Sequence, residues 1–144
     1  MIVRDPIHGD MAFGEAERRV MDTWEMQRLR GVRQTGTAYL VYPGCVHTRF
    51  EHSLGTANTA RRIVGVLRGK GFSITDRQEA TGKLAALVHD VSHLPFGHTF
   101  EDERRLFPRH DTPDRLRHFL ERGTLGAALD ASGLSPEVLS LLTD

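Results

Sequence analysis

The chain is 144 residues long, enough for one hydrophobic core but not two. Its 39% hydrophobic and 26% charged residues match ordinary folded domains, which excludes a disordered or fibrous chain. Nineteen Lys plus Arg balance nineteen Asp plus Glu, so no bulk charge draws nucleic acid or a membrane surface, and any anionic partner must be held locally.

Only Lys70 and Lys83 are lysines. The other basic residues are arginines, which suit bidentate phosphate contacts and equally fit a biased composition. The lone Cys45 excludes an intramolecular disulfide and a cysteine-based zinc cluster. With no apolar run of membrane-spanning length and no signal-peptide layout, a cytoplasmic location is expected.

The opening RDPIHGDMAF has turn residues among small apolar ones and predicts an extended segment or short strand pair. Between Glu15 and Arg30 the residues Ala16, Val20, Trp24 and Leu29, with Met21 and Met26 beside them, recur at helical spacing up to Gly31. On this spacing Trp24 and the methionines read as core. The stretch QTGTAYLVYPGCVHTRF predicts a long ordered loop. A helix from about Glu51 carries Leu54, Ala57, Ala60 or Arg61, Val64 and Leu67 on one side and breaks near Gly69 and Gly71. Thr75 with Gln78 three residues later forms a capping-box signature, opening a helix that turns Ala80, Leu84, Leu87 and Val88 inward and ends near Val91, ahead of Pro95. Thr112 before Pro113 and Ser135 before Pro136 resemble caps with proline in the first turn, the former opening a helix to about Arg122. The sum is an all-α bundle with a short extended N-terminal segment and polar loops at one end.

The chemistry concentrates in ALVHDVSHLPFGH. Neighbouring residues on a helix point about 100° apart, so adjacent His89 and Asp90 share a target only if a helix end turns both toward one cavity. There they would offer a divalent cation one imidazole and one carboxylate, a mixed set suited to Mn, Fe, Zn or Mg. His93 and His98 follow within the same stretch, and His52, in HTRFEHSLGTA, can bring a third ligand from a separate helix. A His-Asp pair by itself is commonly no more than a hydrogen-bonded pair; the wider pattern carries the reading.

That pattern comprises DPIHG, DTWEMQRLRGVRQTG, YPGCVHTRFEHSLG and HDVSHLPFGHTFEDE in order, followed by His110. It resembles the HD-domain metal-dependent phosphohydrolases, in particular the deoxynucleoside triphosphate triphosphohydrolase branch. The resemblance covers about residues 3–118 and implies an HD-domain helical bundle spanning 1–144. It matches His52, His89 and Asp90 to three metal ligands. The fourth, an aspartate in a later D-x-D-x-x-D-Y-like stretch, has no counterpart, and neither Asp130 nor Asp144 sits in a matching motif. Two explanations stand: an N-terminal part of a longer enzyme, which we prefer, or a reduced protein with a degenerate site.

The same resemblance places Arg49 on the triphosphate and Gln34 on the sugar. It puts His93, His98, Glu101 and His110 around the phosphate as the catalytic group, with His110 or His98 as proton donor oriented by Glu101. Asp22, Gln27 and Arg30 align with residues that hold a guanine base at an allosteric site in some members, although a salt-bridged helix face explains Asp22 and Arg30 equally well. His47 and His118 are read as ordinary side chains. The implied reaction is hydrolysis of deoxynucleoside triphosphates to deoxynucleoside and tripolyphosphate by a homo-oligomer, with a nucleotide as partner, nucleic acid not indicated and no membrane. The rivals are hydrolysis of a nucleoside monophosphate or cyclic phosphodiester, and a catalytically incomplete nucleotide-binding or regulatory module.

Overall fold

A computed structural model describes residues 1–144. The N-terminal segment is an antiparallel hairpin, β1 (Ile2–Asp5) against β2 (Gly9–Ala12), with Ile2 opposite Ala12 and Asp5 opposite Gly9. The turn is closed by Asp5, whose Oδ1 accepts the backbone N–H groups of Ile7 and His8, both at 2.8 Å. Met11 anchors the hairpin in the core.

The first helical stretch is not continuous. α1 (Glu15–Met21) stops, and Thr23 starts α2 (Trp24–Gln27), which runs into a 3₁₀ turn at Arg28–Gly31. The Thr23 hydroxyl donates to the Val20 carbonyl at 2.7 Å and accepts from the Met26 N–H at 3.4 Å, ending one helix and capping the next. This restart overturns the expectation of a single helix to Arg30 and of a core tryptophan. Trp24 is 70% exposed, while Met21 and Met26 are buried.

The loop before the long helix is ordered, with a 3₁₀ turn at Ala38–Leu40 and a bridge between Arg33 and Thr48. α3 (Arg49–Gly69) begins two residues before Glu51 because Thr48 and Glu51 form a capping box, which brings Arg49 onto the helix. Its first half buries Phe50, Leu54 and Ala57; its second half leaves the core, with Ile63 54% and Val66 58% exposed. Gly55 lies where α3 meets the hairpin turn, and a Cβ there would stand 2.7 Å from His8 Nε2 and require that side chain to shift.

α4 (Asp76–Val88) has the expected Thr75–Gln78 capping box and ends three residues short of Val91. It packs along α3 and buries Leu84, Leu87 and Val88. Lys83 on α4 meets Glu17 on α1 at 2.6 Å. Burial opposes ionisation of Glu17, but the hydrogen bond and charge of Lys83 together with backbone hydrogen bonds outweigh it and hold the carboxyl below its usual range.

A π-helical turn at Thr99–Glu103 precedes α5 (Pro113–Leu120), α6 (Gly123–Ser132) and α7 (Ser135–Thr143). α5 ends at Leu120, two residues before Arg122. Neither Thr112 nor Ser135 makes a side-chain cap bond, and Ser135 lies inside α7, after Leu134 at the cap position. α6, for which the sequence offered no start signal, is capped from across the fold. Glu25 accepts the N–H groups of Thr124 at 3.0 Å and Leu125 at 3.1 Å. Leu116, Leu120, Leu125, Leu129 and Val138 close the core from this side. The architecture is the all-α bundle the sequence predicts, and no helix is long and apolar enough to cross a membrane.

Candidate functional site

α3 and the end of α4 present their functional side chains to one another. His52 lies one turn into α3, and His89 caps the C-terminus of α4 with Asp90 next to it. His52 Nε2 stands 3.2 Å from His89 Nε2 and 3.7 Å from Asp90 Oδ2, and His89 Nε2 stands 3.3 Å from Asp90 Oδ1. The adjacent pair converges because α4 stops at Val88, so residue 90 is freed from helical geometry and turns inward.

This donor set fits a divalent cation. His89 Nδ1 donates to the Ala86 carbonyl at 2.8 Å, which fixes the tautomer and leaves Nε2 with a free lone pair. Two imidazole nitrogens about 3.2 Å apart suit a shared ion with bonds of roughly 2.1 Å. All three ligand atoms lie within 4.8 Å of one another. Burial pushes the His52 pKa down, with Asp90 acting in the opposite direction, which favours the neutral imidazole that ligation requires. The structure brings neither Asp130 nor Asp144 into this group, and Asp144 accepts the Ser140 hydroxyl at 2.6 Å.

Arg49, three residues before His52 on α3, turns inward. Its Nη1 donates to Asp90 Oδ2 at 2.7 Å, both side chains are buried, and its Nε has no partner. Gln34 Oε1 is likewise without a partner, and Gln34 and Arg49 line one 360 Å³ cavity together with Phe96, Gly97 and His98.

Beyond Asp90 the segment to His110 wraps over the site. His93 is 1% exposed, stands 3.6 Å from Asp90 Oδ1 and stacks on His110 with ring centroids 3.5 Å apart. Burial first, then the positive charge of Arg49, pushes the His93 pKa down to about 2, so this imidazole is neutral. Gly97 permits the close approach: a Cβ there would sit 2.4 Å from His93 Nδ1. Phe96 and Arg105 are the only non-glycine residues with positive φ, at 58° and 50°, and they bracket the segment bearing His98 and Glu101. Strain of this kind clusters at functional sites.

Two histidine-carboxylate pairs result. His110 Nδ1 meets Glu101 Oε2 at 2.8 Å, and His98 Nδ1 meets Asp102 Oδ2 at 3.1 Å. Of the two candidate acids, Glu101 thus meets His110 and not His98. Asp102 held no place among the sequence candidates, although its spacing of four from His98 was a usable signal. Its hydrogen bond with His98 and the nearby Arg109 hold its carboxyl below the usual range.

Asp22, Gln27 and Arg30 lie away from this cluster. Asp22 accepts from Arg18 Nη1 at 2.8 Å, Arg30 Nε donates to Gln27 Oε1 at 2.8 Å, and Gln27 Nε2 donates to the Met21 carbonyl at 2.7 Å. Two residues without any sequence signal, Arg28 and Arg115, reach the backbone of the site. Both are single arginines in a chain rich in them.

The profile of the HD domain family matches residues 49–138, which include every residue of the cluster except Gln34. The chain is 42% identical over 102 residues to the deoxynucleoside triphosphate triphosphohydrolase SAMHD1 of Bos taurus, covering 69% of this chain and 17% of that protein. It is 38% identical over 126 residues to the protein of the same name from Mus musculus, covering 86% and 18%. An uncharacterized protein of Methanocaldococcus jannaschii is 46% identical over 100 residues, covering 69% and 20%. The chain therefore spans about a fifth of the length of the curated relatives it matches.

Proposed function

Because this chain belongs to the HD domain family, we propose that it forms the core of a metal-dependent nucleotide phosphohydrolase acting on deoxynucleoside triphosphates. The observation that carries the reading is the convergence of His52, His89 and Asp90 beside two histidine-carboxylate pairs. The similarity to proteins named deoxynucleoside triphosphate triphosphohydrolases supports the choice of substrate.

His52, His89 and Asp90 would hold the cation, drawn from Mn, Mg, Fe or Zn, and its chemistry when bound is Lewis-acid polarisation of a phosphoryl oxygen and acidification of water. The chain's residues do the rest. Arg49 adds positive charge beside Asp90, and its unspent Nε is a donor for a phosphate oxygen. Gln34 has a free carbonyl oxygen to accept a sugar hydroxyl. Glu101 and Asp102 each take a ring nitrogen of their histidine, leaving the opposite nitrogen of His110 or His98 to pass a proton to the departing oxygen. His93, neutral and without a partner on either nitrogen, packs between Asp90 and His110 and keeps water from that wall. The product would be deoxynucleoside and tripolyphosphate, formed in the cytoplasm by a homo-oligomer.

A second reading is a nucleotide-binding module without turnover, supported by the cavity that Gln34 and Arg49 line, where each has an unpartnered polar atom to offer a nucleotide. A panel of nucleoside triphosphates, monophosphates and cyclic nucleotides incubated with Mn²⁺ separates the two. Tripolyphosphate release supports the triphosphohydrolase. Orthophosphate alone or cleavage of a cyclic diester assigns another substrate, and saturable binding without product supports the module.

A further inference from the structure

α4 ends at Val88, yet beyond the half-buried His89 the chain stays buried for four residues, Asp90 to His93. Buried carbonyls past a helix end need partners. Here three in succession receive them from two guanidinium groups. Arg28 donates to the carbonyls of Val91 and His93, the latter at 2.8 Å, and Arg115 Nη2 donates to the Ser92 carbonyl between them at 2.8 Å.

Arg115 does more than Arg28. From α5, with a side chain only 15% exposed, its Nη1 also donates to the Pro108 carbonyl at 2.5 Å and stands 3.7 Å from Glu101 Oε1. That oxygen is buried and has no hydrogen-bond partner, while the other oxygen of the same carboxylate meets His110 Nδ1. The Ser92 hydroxyl donates to the His110 carbonyl at 2.5 Å, so the segments Arg115 joins are also stitched to one another.

We infer that Arg115 is a positioning residue for His110. It binds the turn behind the His89–Asp90 pair to the chain entering His110, and it faces the free oxygen of Glu101 so that Oε2 is presented to His110 Nδ1. Glu101 then holds the proton of His110 on Nδ1, and Nε2 is the nitrogen left for exchange with a ligand. A guanidinium spreads its donors over a planar fork that reaches two carbonyls and a carboxylate in separate directions, whereas the three donors of an ammonium radiate from a single atom. The consequence for turnover rests on the phosphohydrolase reading, whereas the consequence for the His110 tautomer does not.

The test uses both readouts. Long-range ¹H–¹⁵N spectra of the histidine rings, recorded on the metal-free chain at about pH 8 where a free imidazole is neutral, are expected to show His110 as a single Nδ1–H tautomer. In Arg115→Gln that tautomer gives way to a mixture, and in Arg115→Lys to a partial one, with amide signals of α1, α6 and α7 unmoved. A His110 ring unchanged in Arg115→Gln overturns the inference, and should that variant not fold, an unchanged ring in Arg115→Lys does so. In turnover with Mn²⁺ and deoxynucleoside triphosphate, Arg115→Gln is expected to lower kcat about tenfold with KM within about twofold; an unaltered kcat also overturns it. An unmodified chain without turnover counts against the phosphohydrolase reading, and the histidine spectra then decide the role of Arg115 by themselves.

Discussion

Arg49 Nη1 lies 2.7 Å from Asp90 Oδ2, with side chains 3% and 6% exposed, so the carboxylate that faces His52 and His89 has a buried cation behind it. Removing one member of such a pair leaves an uncompensated buried charge. Asp90→Ala, measured by urea unfolding with chelator present, is expected to lose about 3–5 kcal/mol. The double variant Arg49→Met/Asp90→Ala should recover at least half of that loss. A double variant as unstable as the single one would show that the pair is not what Asp90→Ala disrupts.

The metal reading predicts a ligand-dependent stability. At about a hundredfold excess over Kd, a cation bound only by the folded chain raises stability by about 2.7 kcal/mol. Thermal unfolding with added Mn²⁺ should therefore show a rise in Tm that chelator reverses. His52→Ala and Asp90→Ala should each abolish the rise and the metal found by elemental analysis. A Tm indifferent to every divalent ion tried would remove the cation from the account.

Acid should destabilise the metal-free chain in two windows. His93 binds a proton at about 6.5 when unfolded but only near 2 when folded, so the unfolded state gains protons first as pH falls. The stability fully present above 6.5 is then lost below it, by about 1.4 kcal/mol per pH unit from this group. Glu17, with its pKa lowered from 4.5, contributes stability present above that value and lost as pH falls further. Urea titrations at successive pH values should show the upper slope flattened in His93→Gln and the lower one in Glu17→Gln. Identical profiles for all three chains would contradict both assignments.

Gly97 is a steric test of the site. A methyl group there would need the space of His93 Nδ1, which cannot yield because His93 is enclosed and stacked on His110. Gly97→Ala is expected to fold, to displace the two rings and to cut turnover about 10- to 100-fold. Turnover within about twofold of the unmodified chain would mean that the stacked arrangement is not required.

Glu25 caps a helix nearly a hundred residues away. Its carboxylate takes the N–H groups of Thr124 and Leu125, so Glu25→Ala should uncap α6 and cost about 1–2 kcal/mol in chemical denaturation. Hydrogen exchange should quicken in Thr124–Ala127 before it changes elsewhere. Unchanged protection there would mean that solvent caps the helix equally well.

What could be read from the residues was local. The capping box of Thr75 and Gln78, the proline openings of α5 and α7 and the hairpin of DPIHG depend on partners a few positions apart, whereas the grouping of His52 with His89 and Asp90 came from the resemblance of the ordered motifs. What could not be read needed partners far along the chain. α6 has its cap from Glu25, and Trp24 is turned out by the restart at Thr23. Asp102 was legible in principle from its spacing to His98, but Arg115 was not, because nothing in a run of arginines says which one will meet Ser92, Pro108 and Glu101.

By itself the sequence determined where the helices around the cluster begin, since hydrophobic period and capping act within one or two turns, while the choice of His52, His89 and Asp90 as candidate ligands rested on the resemblance of the ordered motifs. Only the tertiary structure decided that α4 would stop three residues early, that Arg49 would face Asp90 and that each candidate acid would have its own carboxylate. Those outcomes depend on satisfying buried carbonyls and charges with whatever the packed helices bring near, a condition that exists only once the chain has folded.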